Sequence, residues 1–277
     1  MTDSEVLLAS AREGDIEAFS RLFEAFRAEL QSYIYRLLTN RADAEDLTHD
    51  TFLRAFEKLD SFRGESSLKT WVFSIATNLC MDILRKRKRW PVDAQDQSRA
   101  TSIGSPEITG QYLSVNQNST HGTYEVREHI DFCFTCISKT LPIEQQVALM
   151  LKDVYGFKVK EVSAILGTTL GAAKHLLHNA RTTMTRIFKD RCSLVNKNGI
   201  CYQCSELNGF FNPEQDTQVE LMKVELARAA SDRQDLFELR TRLVQSIDPL
   251  NASGTDLHDF IMQRVRRVIN DTDDSAG

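Results

Sequence analysis

Proline and glycine are scarce, 5 and 12 among 277 residues, which argues against a chain of short strands joined by tight turns. No apolar run approaches the ~20 residues that span a bilayer, so membrane insertion is not expected. The first ten residues lack the basic start and apolar core of a secretory signal. That absence predicts a cytoplasmic protein, in whose reducing surroundings the six cysteines are not expected to form structural disulfides. There is no Gly-rich phosphate loop and no defensible Ser/His/Asp spacing, so no catalytic constellation and no enzyme is expected. An excess of positive charge is missing too. The net charge is −5, which excludes indiscriminate nucleic-acid binding and leaves any such contact to local charge placement.

What is present is helical periodicity. Apolar residues recur three and four apart almost throughout, which predicts an all-α fold. A chain of this length accommodates about two domains and makes a single shared core unexpected. Residues 1–90 read as several helices, one beginning near Asp43, which can cap its N-terminus, with Glu45 and Asp46 at its positive dipole end, the next near Ser66 or Ser67. Residues 91–123 turn to Ser, Thr, Asn, Gln and Gly with isolated apolar residues, the pattern of a flexible linker. Periodicity resumes over 124–190. A Cys-containing, Asn/Gly-rich segment, 191–213, leads into a C-terminal helical extension, 214–277, with 13 acidic and 8 basic residues from Pro213 onward. Its apolar stripes run through Leu236, Leu239, Leu243, Val244 and Ile247, and through Leu257, Phe260, Ile261, Val265 and Val268, and must bury against each other or against the rest of the chain.

The helix pattern over 69–89 turns Leu68, Val72, Ile75, Leu79 and Ile83 toward a core and leaves Thr70, Phe73, Thr77, Asn78 and Asp82 on the other face. It ends in Arg85, Lys86, Arg87, Lys88 and Arg89, more positive charge than a helix C-terminus needs and enough to neutralise phosphates. Trp71 and Phe73 beside that surface either stack on bases or fill the core.

Two runs carry a resemblance. Asp43 to Phe56 (DAEDLTHDTFLRAF) and Phe62 to Leu79 (FRGESSLKTWVFSIATNL) resemble the promoter-melting domain of extracytoplasmic-function sigma factors, the small sigma subunits of bacterial RNA polymerase, almost position by position. The resemblance implies a non-catalytic transcription initiation factor whose partners are core RNA polymerase, through its beta-prime clamp helices and its beta subunit, and promoter DNA. A separate anti-sigma factor is a further partner of this kind. It implies polymerase contacts from Asp46, Asp50, Arg54 and Glu57, which lie at helical spacings on one stripe. It further implies that Arg63, Lys69, Trp71, Asn78, Asp82, Arg85, Lys86, Arg87 and Lys88 act on the melted minus-ten element, where a base leaves the stack.

Residues 158–166 read as a helix, Gly167-Thr168-Thr169 as a turn and 170–184 as a second helix, which is helix-turn-helix spacing. Lys174, His175, His178 and Arg181 are polar positions on the second helix, whose N-terminal part would enter a major groove. Taken alone the unit could equally be a structural bundle, or a regulator that binds operators without polymerase. With Leu141-Pro142 and Gln145-Gln146 ahead of it, the unit is similar to the sigma domain that reads the minus-thirty-five element. It departs from that pattern at Leu176 and Asn179, where the family commonly carries arginine.

Cys80 stands alone and reads as a core residue. Cys201 and Cys204 have metal-ligand spacing with Cys192 upstream, while His129, Cys133 and Cys136 fall on one face of a helix. Cys133, Cys136, Cys201 and Cys204 together would complete one structural or sensory zinc site, with His129 and Cys192 as alternates. The opposing reading is that Cys133 and Cys136 fill a buried face beside Ile130, Phe134 and Ile137. No cofactor is otherwise required.

Overall fold

The computed structural model describes residues 2–119, 124–194, 198–201, 203–211 and 236–269. Of the helical extension expected over 214–277, residues 214–235 and 270–277 lie outside them. Among the described residues the fold is all-α. In chain order the helices are α1 (Asp3–Arg12), α2 (Ile16–Leu38), α3 (Arg41–Glu57), α4 (Leu68–Lys86), α5 (Ala94–Ser102), α6 (Pro106–Asn118), α7 (Val126–Ser138), α8 (Ile143–Leu149), α9 (Val159–Ile165), α10 (Leu170–Arg191), α11 (Gln203–Phe211), α12 (Leu236–Gln245) and α13 (Thr255–Val268).

Side chains set the helix starts. Asn40, not Asp43, caps α3, its Oδ1 accepting from the Asp43 amide at 3.3 Å. Asp43 instead sits in the first turn, where its carboxylate meets Arg87 at 2.9 Å. Ser67 caps α4 by accepting from the Thr70 amide at 3.1 Å, and Thr169 caps α10 by accepting from Ala172 at 3.1 Å. Gly167 takes the left-handed backbone, φ 60°, that the turn between α9 and α10 needs.

Three sequence expectations are corrected. The stretch 91–123 is not an irregular linker, since α5 and α6 lie within it and both pack against α13. Tertiary burial of Ala94, Gln95 and Ser98 outweighs the weak local propensity there. Second, the two domains share a core: residues of α2, α3 and α4 form one apolar cluster with residues of α7, α8, α9 and α10. The junction is aromatic, with Phe73 against Phe157 at 4.8 Å and Tyr33 edge-on to Tyr155 at 5.4 Å. Third, and for that reason, Phe73 and Thr77 are buried rather than facing solvent. Thr77 shares a 2.8 Å hydrogen bond with Tyr33 of α2.

The extension closes over both domains. Arg36 of α2 is 1% exposed, and its guanidinium donates to Asp131 Oδ1 of α7 at 2.7 Å and to the carbonyls of Val244 and Ile247, in and after α12, at 3.0 and 2.9 Å. Arg41 pairs with Asp256 at 3.0 Å and also with Asp259 of α13. Arg266 of α13 reaches back to the junction of α2 and α3, donating to Thr39 Oγ1 at 3.0 Å. Thr39 holds a left-handed backbone, φ 53°, unusual for a β-branched residue. The Glu128 carboxylate of α7 accepts from the Ser253 amide at 2.8 Å and from Gly254, so it caps the N-terminus of α13. Around this set a second apolar cluster joins Trp90, Ala94, Tyr124, Ile130, Phe132, Leu257, Ile261 and Val265.

Burial raises the Asp131 carboxyl to about 6 even beside Arg36. Removing the guanidinium leaves that carboxyl and two carbonyls without a donor, so Arg36→Met is expected to lower stability by about 3–5 kcal/mol. Chemical denaturation of the full chain measures it. A loss below about 1 kcal/mol would show that the contact is incidental.

Candidate nucleic-acid interface

Two polar surfaces stay in solvent on domains that share one core. The first lies along α3 and the end of α4. Asp46, Asp50, Arg54 and Glu57 are all exposed on α3, while Leu47, Phe52 and Phe56 pack inward against the core. A groove of about 390 Å³ runs beside Asp46 and His49, floored by Phe23 and Phe52 and edged by Glu24 and Arg27.

The basic end of α4 divides by use. Arg85, Lys86 and Lys88 are exposed, and the Arg85 side chain bridges at 3.1 Å only to the equally open Asp82. Arg87 turns inward, its side chain 6% exposed against Asp43 and the Leu38 carbonyl. Arg89 donates to Gln146 Oε1 of α8 at 2.6 Å. Two of the five positive charges therefore hold the fold, and nothing in the run of basic residues itself distinguishes them.

Ahead of α4, Arg63 is exposed in a loop anchored by Arg12, which donates to the Phe62 carbonyl at 2.6 Å. Trp71 lies tilted against Phe62, ring centroids 5.4 Å apart, and packs on the core, half-buried. Lys69 is engaged by Glu29 at 2.6 Å and lies over the Phe73 and Phe157 rings. Asn78 is exposed. Thr70 donates to Glu161 of α9 at 3.2 Å, so part of the α4 face is covered by the second domain.

The second surface is the helix-turn-helix. Val162 and Ile165 of α9 pack with Ala173, Leu177 and Ala180 of α10. That packing leaves Lys174, His175 and His178 exposed on the N-terminal half of α10. Arg181 is a partial exception: its guanidinium donates to Asp153 Oδ2 at 2.8 Å. Leu176 is half-buried against the core, which explains why an apolar side chain serves there. Helix α10 also runs on to Arg191, beyond the expected end at Met184.

The cysteines expected to bind metal come together. His129, Cys133, Cys136, Cys192, Cys201 and Cys204 all line one cavity of about 20 Å³ between α7, α10 and α11. All five cysteines are free thiols. Burial pushes the Cys136 thiol up to about 12. Burial pushes the Cys133, Cys201 and Cys204 thiols upward, and the neighbouring Cys192 adds to this in all three. Among the described residues no three His, Cys, Asp or Glu side chains converge in ligating geometry.

Residues 22–90 match the family described as Sigma-70 region 2, and residues 132–184 match Sigma-70, region 4. Over 195 residues the chain is 31% identical to the ECF RNA polymerase sigma factor SigG of Mycobacterium tuberculosis, covering 65% of this chain and 50% of that protein. It is 29% identical over 202 residues to the ECF RNA polymerase sigma-E factor of Escherichia coli, covering 71% of this chain and 94% of that one. Among solved structures it is similar to the sigma factor RpoE of Bartonella quintana in complex with the anti-sigma factor NepR, at 21% identity and TM-score 0.42, over 62% of this chain and 96% of that one. The chain thus spans half the length of SigG. A region 2 domain followed by a region 4 helix-turn-helix defines the sigma-70 class. Within that class, the relatives it resembles are extracytoplasmic-function sigma factors.

The division of the basic run is testable. Replacing Arg85, Lys86 and Lys88 together by alanine is expected to leave thermal stability unchanged and to flatten the salt dependence of DNA binding by about 0.7–0.9 for each phosphate no longer neutralised. Arg87→Ala is expected to do the reverse, lowering stability because Asp43 and the Leu38 carbonyl are left without their donor. An unaltered salt slope for the triple variant would mark those residues as a solvated helix end.

Proposed function

We propose that the chain is a promoter-recognition subunit of RNA polymerase, itself without catalytic activity, that carries core enzyme to promoter DNA and opens it. The observation that carries this is the pair of exposed polar faces, the α3 stripe and the front of α10, on domains otherwise buried against each other. The stripe of Asp46, Asp50, Arg54 and Glu57 is the surface offered to the beta-prime clamp helices, and the groove beside it gives a helical partner an apolar floor. Lys174, His175 and His178 are offered to the upstream element. Arg63, Asn78, Arg85, Lys86 and Lys88 serve the melted strand, which Trp71 reaches only at its exposed edge.

Strand capture requires the contact between α4 and α9 to part. Glu161 covers Thr70, and the Phe73–Phe157 contact closes the rest of that face. Two elements about 25 base pairs apart lie roughly 85 Å from each other along duplex DNA. Domains in direct contact do not span that distance, so the arrangement seen here is the resting form, held by the extension. An anti-sigma partner would act on the same interface.

Reconstitution with core polymerase tests the proposal. Specific transcripts from a defined promoter are expected, and sequencing their starts identifies the element. Asp46→Lys with Asp50→Lys should weaken core binding about tenfold or more while far-UV circular dichroism stays unchanged. Full affinity in the soluble double variant would remove α3 from the interface. Exchanging Lys174 or His175 should shift preference at single upstream positions by ~1–3 kcal/mol, whereas uniform weakening on every promoter would make them phosphate contacts.

A further inference from the structure

Five of the six cysteines gather at one place, and the place is built rather than incidental. Cys133 comes from α7, Cys192 follows the last turn of α10, and Cys204 lies in α11, with Cys201 just before it. Backbone pairing locks Cys192 beside Cys201: the Cys201 amide donates to the Arg191 carbonyl at 2.9 Å and the Ser193 amide to the Cys201 carbonyl at 3.2 Å. Gly199 makes this closure fit. A Cβ there would stand 2.7 Å from the Cys192 carbonyl carbon, so no other residue allows so close an approach.

The second observation is a cation without an anion. Arg240 of α12 is 2% exposed, its Nη2 donates to Cys192 Sγ at 3.1 Å, and its guanidinium lies over the Phe188 ring at 4.3 Å. Among the described residues no carboxylate pairs with it. A buried guanidinium beside neutral thiols is uncompensated, which is costly unless the thiols carry negative charge. His129 adds a third sign: it lines the same cavity and its Nδ1 is buried without a hydrogen-bond partner.

We propose that Cys133, Cys192, Cys201 and Cys204 form a thiolate site for a thiophilic divalent cation of the zinc type, with Arg240 as its buried counter-charge. The set differs from the sequence-based one in taking Cys192, which the backbone pairing and the Arg240 guanidinium hold beside Cys201, in place of Cys136. On binding, each of the four thiols forms one sulfur–metal bond and releases its proton to solvent. A divalent ion with four thiolates is a net dianion, and Arg240 offsets part of that charge. The cavity of about 20 Å³ is the size of one ion or water. The thiols ring it without converging, and a change of one χ1 rotamer moves a cysteine sulfur by about 3 Å, so convergence asks for side-chain rotation, not a new backbone. The site would fasten the start of the second domain, the end of its recognition helix and the extension to one another.

Cobalt(II) added to the reduced, full-length, metal-stripped chain is the probe. The expected result is saturation near about one ion per chain, with the thiolate-to-cobalt charge-transfer band and intense d–d bands of a tetrahedral site. Zinc should displace the cobalt. Cys133→Ser, Cys192→Ser, Cys201→Ser and Cys204→Ser should each weaken binding at least about tenfold, with Cys80→Ser and Cys136→Ser binding like the unaltered chain. Binding that survives loss of Cys192 but not of Cys136 would overturn the ligand set. No charge-transfer band in a protein with all six thiols titratable would overturn the site itself, as would cysteines isolated as disulfides from reducing cells. Should the serine variants fail to fold, the unaltered chain still decides: zinc must raise its melting temperature, and an unchanged value contradicts the proposal.

Discussion

A single buried guanidinium fixes how the parts of this molecule sit together. Arg36 lies in the first domain, yet its donors are taken up by Asp131 of the second and by the Val244 and Ile247 carbonyls of the extension. Burying such a charge is costly unless its donors meet oxygens, so the group stabilises only the one arrangement in which all three partners are in reach. Hydrophobic contact between the domains is less selective. Aromatic faces such as those of Phe73 and Phe157 tolerate sliding, whereas a fork of directed hydrogen bonds does not. The ion pairs from Arg41 to Asp256 and Asp259, and the cap that Glu128 provides to α13, repeat the same logic at the edges of the interface.

That geometry sorts the surface by function. The α3 stripe and the front of α10 face outward, available to a protein partner and to duplex DNA, while the central part of α4 is shut against α9. On the proposed function, a factor so arranged would meet core polymerase before it could hold a separated strand, and ordinary packing would hold off premature melting. The acidic balance of the extension fits this role, since Asp256 and Asp259 engage Arg41 rather than leaving it to solvent.

Much of this was legible in the sequence, and the failures have physical causes. The helix-turn-helix was legible because its turn requires Gly167 and its two helices carry complementary apolar faces. Ser67 announced the start of α4, but Asp43 misled for α3, because Asn40 lies three residues earlier and caps equally well. The stretch 91–123 has the composition of a coil, and only the apolar face of α13, nearly 150 residues further on, turns it into helices. Phe73 and Thr77 fall on the polar side of the α4 pattern because a helix packed on two sides has no single apolar stripe to read. Arg87 and Arg89 looked identical to their neighbours since charge runs do not report which partner lies across space. The thiol spacing was legible, but the place of Cys192 depends on the turn at Gly199, which brings residues nine apart into backbone contact.

On the proposed function, the extension holds the two domains together until polymerase and promoter part them. Fluorophores at Lys58, at the end of α3, and Lys189, near the end of α10, both exposed, would report the separation by energy transfer. The account predicts a short, narrowly distributed distance in the free chain, broadened by Arg36→Met, and a much longer one in the complex with core polymerase and promoter DNA. An unchanged distance on forming an active open complex, or a free chain already extended, would contradict it.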